Sequence, residues 1–307
     1  MAEAEGLADW MSKLNETFTT VPLCYIAIPG SHDAMAYSLD MDSPLLEPDS
    51  LITMDLIFCG CCGCCRSIVK NWSITQDKTI SEQLDAGMRY FDLRVAGKPG
   101  SSDFFFYHGL YTTITVKEAM EEVDTWLGKH SKEVVILAFS HFKKMSTEQH
   151  TKLMTFLKDH FKAKLCPDYG VPSLKDCWDK AYQVILSYDD RNRKQDRVLW
   201  PGIKYWWANN SDPNEAILFL DNKKQSGRPK GFFVAGLNLT FYGCSIFSNL
   251  TASLKEKTVT AYPLLLDWVK KQRPGSDTQS INIIAGDFFD VNSFAQDIIQ
   301  LNDAKTN

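Results

Sequence analysis

Two histidines and one arginine stand at the ends of apolar, strand-like runs in the N-terminal half of the sequence. His32 lies in the segment IPGSHD, Arg94 in YFDLR and His108 in FFFYHG. A histidine titrates near neutral pH, so one ring can accept a proton while another donates one. Arginine stays charged and can hold two phosphate oxygens at once. A base, an acid and a fixed cation are the groups that in-line attack on a phosphodiester requires.

The segments that would position these side chains alternate between strand-like and helix-like patterns, which is typical of parallel α/β architecture. The strand candidates are mostly continuous apolar runs, as expected of strands buried on both faces. Eight are predicted: Cys24–Ile28, Met88–Leu93, Phe104–Tyr107, Val134–Phe139, Gln183–Ser187, Ala216–Leu220, Gly231–Leu237 and Ile281–Ala285. These patterns predict the α/β fold class, as a single (β/α)8 TIM-type barrel that can depart from regular geometry.

Helices are predicted between several of these strands. The stretch Thr115–Lys129 places apolar residues on one stripe and begins with a capping-box spacing. A second helix begins after Ser146, a third covers Pro263–Lys271, and Asn292–Leu301 forms the last.

A closed barrel would gather the polar strand ends at one rim. Active sites of such barrels form at the carboxyl ends of the strands. The first and eighth strands are neighbours in a closed barrel, so Asp287 and His32 can touch despite their separation in sequence. The residues expected at this rim are His32, Asp33, Asp92, Arg94, His108 and Asp287.

Composition limits the class of protein. The 307 residues are 44% hydrophobic and 23% charged, enough for one large core, so residues 1–307 are predicted to form a single domain. The net charge of −5 gives no indication of nucleic-acid binding. The acidic N-terminus does not resemble a secretory signal, and no run approaches the length of a membrane span.

A long insertion follows the first strand, over about residues 35–71. The stretch Met35–Asn71 shows little periodicity and contains five of the nine cysteines, Cys59, Cys61, Cys62, Cys64 and Cys65. We expect an exposed, poorly packed loop at the active-site rim. Three states of the cysteine cluster stay open: reduced thiols, S-acylation that anchors the loop to a membrane, and zinc binding.

The segments Ile26–Asp33, Met88–Val95 and Tyr107–Gly109 resemble the X-type catalytic domain of phosphatidylinositol-specific phospholipase C. Ile281–Phe288 fits the last barrel strand of that domain. The resemblance covers most of the chain and is greatest to the small eukaryotic group that consists of little more than this domain. It implies a phosphoric diester hydrolase that cleaves phosphatidylinositol-type lipids to diacylglycerol and inositol phosphate.

The resemblance also implies a role for each rim residue. His32 would remove the proton of the neighbouring inositol hydroxyl, and Asp287 would hold the other ring nitrogen. Arg94 would neutralise the phosphoryl oxygens. His108 would protonate the leaving diacylglycerol oxygen with support from Asp33. Asp92 would contribute to substrate binding or serve only as the partner of Arg94.

No metal or other cofactor is expected. The calcium-dependent branch of the family has Asn directly after the first His and an acidic ligand where Arg94 stands, whereas this chain has Asp33 and Arg94. A calcium ion and a guanidinium would repel each other in that space. The sequence therefore predicts a calcium-independent enzyme.

One departure from the family pattern leaves an alternative open. Ser140 or His141 stands at the end of the fourth strand, where the bacterial branch has Lys and the calcium branch Glu. A weakly active or inactive phosphoinositide-binding regulatory module is therefore the alternative function. Another barrel phosphodiesterase is less favoured, because such enzymes use acidic metal ligands.

The expected partners are a phosphoinositide lipid and, transiently, a membrane surface. Aromatic residues in Trp200–Trp207 suit a membrane interface or the face of an inositol ring. The protein is expected in the cytoplasm, with peripheral membrane association left open. Protein partners are not indicated.

Overall fold

The computed structural model describes residues 6–46, 63–241 and 252–303, with the side chains of residues 63–65 left out. Its strands are β1 (Ile28–Ser31), β2 (Tyr90–Gly97), β3 (Phe104–His108), β4 (Leu110–Thr115), β5 (Val135–Lys143), β6 (Val184–Tyr188), β7 (Lys204–Trp206), β8 (Phe233–Gly236) and β9 (Ile283–Gly286). Its helices are α1 (Glu16–Thr20), α2 (Gly63–Ser73), α3 (Ile80–Asp85), α4 (Val116–Lys129), α5 (Thr147–Phe161), α6 (Leu174–Asp179), α7 (Pro213–Gln225), α8 (Leu254–Val269) and α9 (Phe294–Gln300).

The strands form one sheet that curls into a distorted barrel. Parallel ladders connect β6, β5, β2, β1, β9, β8 and β7 in that order. β6 meets the segment before β7 at a single parallel bridge, between Ser187 and Trp200, and the barrel is irregular at this place. The predicted α/β barrel is confirmed, with seven parallel strands among the described residues instead of eight.

The third predicted strand has a different role from the one expected. β3 runs antiparallel to the end of β2 and forms a hairpin with β4, so it extends the sheet outside the ring of parallel strands. The apolar run Phe104–Tyr107 correctly indicates a strand, but strand direction depends on the connection and not on composition. The hairpin still places His108 at the rim.

The predicted strand Ala216–Leu220 is wrong, because these residues lie in α7. Asp212 caps this helix by accepting a hydrogen bond from the Asn214 backbone, and Pro213 occupies its first turn. Ala216 and Leu220 are one helical turn apart and both are buried. A five-residue apolar run does not distinguish a strand from one face of a helix.

Alternation along the strands separates the barrel interior from the helical layer. On β5, Val135, Leu137 and Phe139 belong to the cluster that includes helix residues, whereas Ile136 and Ala138 pack inside the barrel. A strand directs successive side chains to opposite faces. Inward residues near the carboxyl ends therefore face the rim.

Helix starts agree with the capping signals in the sequence. Thr115 accepts a hydrogen bond from the Glu118 backbone at the start of α4, and Ser146 does the same for Gln149 at α5, each with the reciprocal side-chain contact. Such boxes satisfy two backbone donors that the first helical turn leaves unpaired. The third predicted helix begins earlier than expected, as α8, and includes Pro263.

The amino end of the barrel is closed by a buried ion pair. Arg89 donates to Glu133 from Nε at 3.0 Å and from Nη2 at 2.8 Å, and both side chains are 0% exposed. Glu133 also accepts from the backbone of Met11 at 3.3 Å and of Ser12 at 3.1 Å. The pair thus attaches the N-terminal segment to the barrel.

The expectation of a poorly packed loop over residues 35–71 is wrong for its described parts. Ala36 and Leu39 are buried in one cluster with Val69 of α2, which begins inside the insertion. Cys59, Cys61 and Cys62 lie outside the described residues, while Cys64 and Cys65 fall in α2, so the three alternatives for the cysteine cluster stay open.

Among the described helices, every one is too short or too polar to span a bilayer.

Candidate active site

The predicted rim residues converge at the carboxyl ends of β1, β2, β3 and β9. His32 follows β1, and Asp287 follows β9, which is paired with β1 in parallel register. The two side chains touch, with His32 Nδ1 2.7 Å from Asp287 Oδ1. They are 7% and 1% exposed, so the contact is shielded from water. The pairing of strands far apart in sequence brings these residues together.

The hydrogen bonds around His32 determine its protonation pattern. Arg94 Nη2 lies 2.7 Å and Asn238 Nδ2 lies 3.3 Å from His32 Nε2. Both groups can only donate, so Nε2 must accept and the ring hydrogen must be on Nδ1, directed to Asp287. In this state Nε2 carries the lone pair that a general base needs.

Arg94 lies between two carboxylates. Its Nε and Nη2 donate to Asp92 Oδ2 at 3.2 Å each, and its Nη1 is 3.4 Å from Asp33 Oδ2. Burial lowers the pKa of Arg94, but Asp33 and Asp92 outweigh it, so the pKa is raised. The guanidinium is a permanent cation whose side chain is still 17% exposed at the rim.

Asp92 stays ionised beneath Arg94. Burial alone would raise its pKa, but the charges of Arg94, His32 and His141 and a hydrogen bond from the Asp33 backbone lower it to about 2. Ser140 Oγ lies 3.3 Å from Asp92 Oδ1 and 2.8 Å from His141 Nδ1. Ser140 and His141, which stand where the family has Lys or Glu, therefore place a hydroxyl and an imidazole near this carboxylate.

His108 faces His32 across the site, with ring centroids 6.4 Å apart. Its Nδ1 donates to the carbonyl of Ser73 at 2.6 Å, and its Nε2 is 3.6 Å from Asp33 Oδ2. Ser73 is the last residue of α2, and the carbonyl end of a helix favours a nearby positive charge. The helix that begins inside the insertion therefore supplies the group that orients the second histidine.

The turn between β1 and the insertion holds Asp33 in an uncommon conformation. Its φ of 41° lies in the left-handed region, which costs energy for a residue with a side chain. Thr75 Oγ1 donates to the Asp33 carbonyl at 2.9 Å, and Gln76 Nε2 donates to the His32 carbonyl at 2.9 Å. These contacts hold the Asp33 carboxylate between Arg94 and His108.

The sequence reasoning missed several site residues. Asn238, two residues beyond β8, contacts His32, and Tyr205 of β7 donates to Asn238 Oδ1 at 2.8 Å. Burial raises the pKa of Tyr205 well above its usual value, so its hydroxyl keeps its proton. Asn238 directly follows a predicted strand, and that position is a signal that could have revealed it.

In the parts of the chain that the structure describes, no group of three or more His, Cys, Asp or Glu side chains is arranged to hold a metal ion. At the rim, the Arg94 guanidinium lies between Asp33 and Asp92, 3.4 Å and 3.2 Å from their carboxylate oxygens.

The sequence matches the family model described as phosphatidylinositol-specific phospholipase C, X domain, over residues 68–187. PI-PLC X domain-containing protein 1 of Danio rerio is 45% identical over 98% of this chain and 97% of its own length. The protein of the same name from Homo sapiens is 40% identical over 96% of this chain and 92% of its own length.

Solved structures show the same architecture. A phosphatidylinositol-specific phospholipase C of Staphylococcus aureus superposes with a TM-score of 0.69 at 14% identity, covering 97% of this chain and 98% of that one. The enzyme of Listeria monocytogenes gives a TM-score of 0.64 at 19% identity, covering 96% and 98%. At these identities the likeness concerns the fold.

The barrel and its family model define a phospholipase C-like fold. The identity to curated relatives over nearly the whole chain is more specific. The chain belongs to the family of PI-PLC X domain-containing proteins.

Proposed function

We propose that this protein is a phospholipase C that cleaves phosphatidylinositol-type lipids to diacylglycerol and a cyclic inositol phosphate. The observation that carries the proposal is the pair of oriented histidines with Arg94 beside them. His32 has an accepting Nε2, and His108 faces it at 6.4 Å between ring centroids. One base, one acid and one cation thus surround a space where a phosphodiester can lie.

The first step is attack by the inositol hydroxyl next to the phosphoester. His32 Nε2 takes the hydroxyl proton, and Asp287 stabilises the imidazolium through the 2.7 Å contact at Nδ1. Using a hydroxyl of the substrate makes the attack intramolecular, which removes the entropy cost of bringing in a second reactant.

The second half of the step is departure of diacylglycerol. As the new oxygen–phosphorus bond forms, Arg94 neutralises charge on the phosphoryl oxygens. The bond from phosphorus to the glycerol oxygen breaks, and that oxygen receives a proton from His108. Asp33 Oδ2 lies 3.6 Å from His108 Nε2, within reach of the ring that donates this proton. Water opens the cyclic product when the two histidines exchange roles.

The names of the relatives support the proposed substrate, and an exposed aromatic residue supports a membrane surface as the place of action. The family model and the superposed bacterial enzymes are named for phosphatidylinositol. Trp207 directly follows β7 and is 45% exposed, so its ring can contact lipid. We place the protein in the cytoplasm with transient attachment to a membrane surface, and no nucleic acid is expected as a partner.

The test is incubation of the purified protein with vesicles that contain phosphatidylinositol. Release of cyclic inositol phosphate and diacylglycerol supports the proposal. Vesicle binding without either product, at protein concentrations near that of the lipid, would instead establish the phosphoinositide-binding module as the function.

We further propose that turnover is independent of calcium and depends on Arg94 as the cation; chelation tests the first part and Arg94→Ala the second. The variant should lose about 2–4 kcal/mol of transition-state stabilisation, because a preorganised cation is removed. Activity of the unchanged protein should survive EDTA. Arg94→Lys is the matched variant, because it keeps the charge but loses the contact of two nitrogens with Asp92. Its rate should lie between those of Arg94→Ala and the unchanged protein. Loss of turnover on chelation, restored by calcium, would contradict this proposal.

A further inference from the structure

Asn238 lies against the nitrogen of His32 that must accept the substrate proton. Its Nδ2 is 3.3 Å from His32 Nε2, and the side chain is 3% exposed. Asn238 follows β8, whereas Arg94, the other donor to this nitrogen, belongs to β2. The two donors therefore approach His32 from different strands.

The orientation of the Asn238 amide is determined by Tyr205. The Tyr205 hydroxyl donates to Asn238 Oδ1 at 2.8 Å, which leaves Nδ2 to face His32. Gly236 makes this arrangement possible, because a Cβ there would lie 2.3 Å from Tyr205 Cε1 and 2.6 Å from Asn238 Oδ1. The Asn238 amide and the Tyr205 phenol therefore pack together beneath the rim, in space that a side chain at position 236 would occupy.

Two carboxylates lie near the ring nitrogens of His32. Asp287 contacts Nδ1 at 2.7 Å, and Asp92 Oδ2 lies 3.9 Å from Nε2. In contrast, a proton on Nε2 would point at two hydrogen-bond donors, Arg94 and Asn238. The charged and titratable groups that face the ring from the surrounding elements are Asp287 of the β9 end, Asp92 and Arg94 of β2, His108 of β3, Asp33 of the adjoining turn and Tyr205 of β7.

We propose that Asn238, oriented by Tyr205, is a positioning residue that keeps His32 Nε2 unprotonated and able to act as the base. The inference rests on the proposed function. When the Arg94 guanidinium engages the substrate phosphate, the attacking hydroxyl takes its place at Nε2. Asn238 then remains as the neutral donor that holds the ring and disfavours premature protonation beside Asp287.

Asn238→Asp tests the inference, because the carboxylate has the same shape but only accepts hydrogen bonds. It stabilises a proton on Nε2, so the base stays protonated to a higher pH. The acidic limb of the rate–pH profile should move up by about one pH unit or more, which lowers the rate on that limb about tenfold. Tyr205→Phe frees the amide to rotate and should shift the limb in the same direction by less.

The matched controls are Asn222→Asp on the exposed side of α7 and Tyr182→Phe before β6, at the opposite end of the barrel. Both should leave the acidic limb in place. The inference would be overturned if the acidic limbs of Asn238→Asp and Tyr205→Phe superimposed on that of the unchanged protein and only the plateau rate were lower. That result would mean that Asn238 acts in packing or substrate binding.

A measurement without substrate separates this inference from the proposed function. Histidine labelled with 15N reports ring protonation by NMR, and His32→Gln assigns the His32 signals. The His32 ring of Asn238→Asp should stay doubly protonated to a higher pH than that of the unchanged protein. If phosphatidylinositol is not cleaved but this shift occurs, the proposed function fails, while the effect of Asn238 on the protonation of His32 is still established. Identical His32 titrations in the two proteins would refute the role.

Discussion

His32→Ala is expected to lower cleavage of phosphatidylinositol by about 10³- to 10⁴-fold, the upper range for loss of a general base. The physical reason is that the imidazole both accepts the hydroxyl proton and connects it to Asp287, which lies 2.7 Å away. The measurement is the initial rate of cyclic inositol phosphate release from vesicles.

The control for this variant is His160→Ala on α5, whose ring contacts the Met120 carbonyl at 3.0 Å far from the rim. Its activity should equal that of the unchanged protein. Circular dichroism and thermal unfolding should show that His32→Ala remains folded. A folded His32→Ala protein with more than about a tenth of the original rate would exclude His32 as the base.

Glu133→Ala is expected to destabilise the fold by about 3–5 kcal/mol, because it leaves the Arg89 charge buried without a partner. Both side chains are 0% exposed, and burial already lowers the pKa of Arg89 despite the opposing charge of Glu133. The backbone amides of Met11 and Ser12 would also lose their acceptor. Urea unfolding followed by circular dichroism measures the change in the free energy of unfolding.

The matched control is Glu121→Ala on α4, whose 3.9 Å ion pair with Lys117 is exposed. It should change stability by less than about 1 kcal/mol. Replacing both buried partners, as Arg89→Met with Glu133→Leu, should recover part of the loss, since no uncompensated charge remains. A Glu133→Ala protein as stable as the Glu121→Ala control would show that the pair does not hold the N-terminal segment.

The sequence by itself determined the class of fold and most of the candidate site. Apolar runs with polar residues directly after them identified β2, β5 and β9, because parallel strands must be buried on both faces and expose polar groups only at their ends. The predicted strand Cys24–Ile28 shares only Ile28 with β1. The helix starts at Thr115 and Ser146 were likewise predictable, because capping is a contact between residues three apart.

Short apolar segments were where prediction failed. Ala216–Leu220 became part of α7, and no strand was predicted in the aromatic stretch Trp200–Trp207, where β7 lies. Within such a short run, helical and extended conformations bury similar apolar surface. The neighbouring elements decide between them, and a single-sequence pattern does not contain that information.

Beyond Asp287 and Asp33, only the tertiary structure decided which groups orient the two histidines. Asn238 and Tyr205 reach His32 from β8 and β7, and the Ser73 carbonyl at the end of α2 reaches His108. Partners of this kind are ordinary residues in the sequence, and a backbone carbonyl carries no sequence signal. The sequence determines which residues can do the chemistry, since their type and place at strand ends are local properties. Their orientation depends on hydrogen bonds between distant segments, which form only when the barrel brings those segments within about 3 Å of each other.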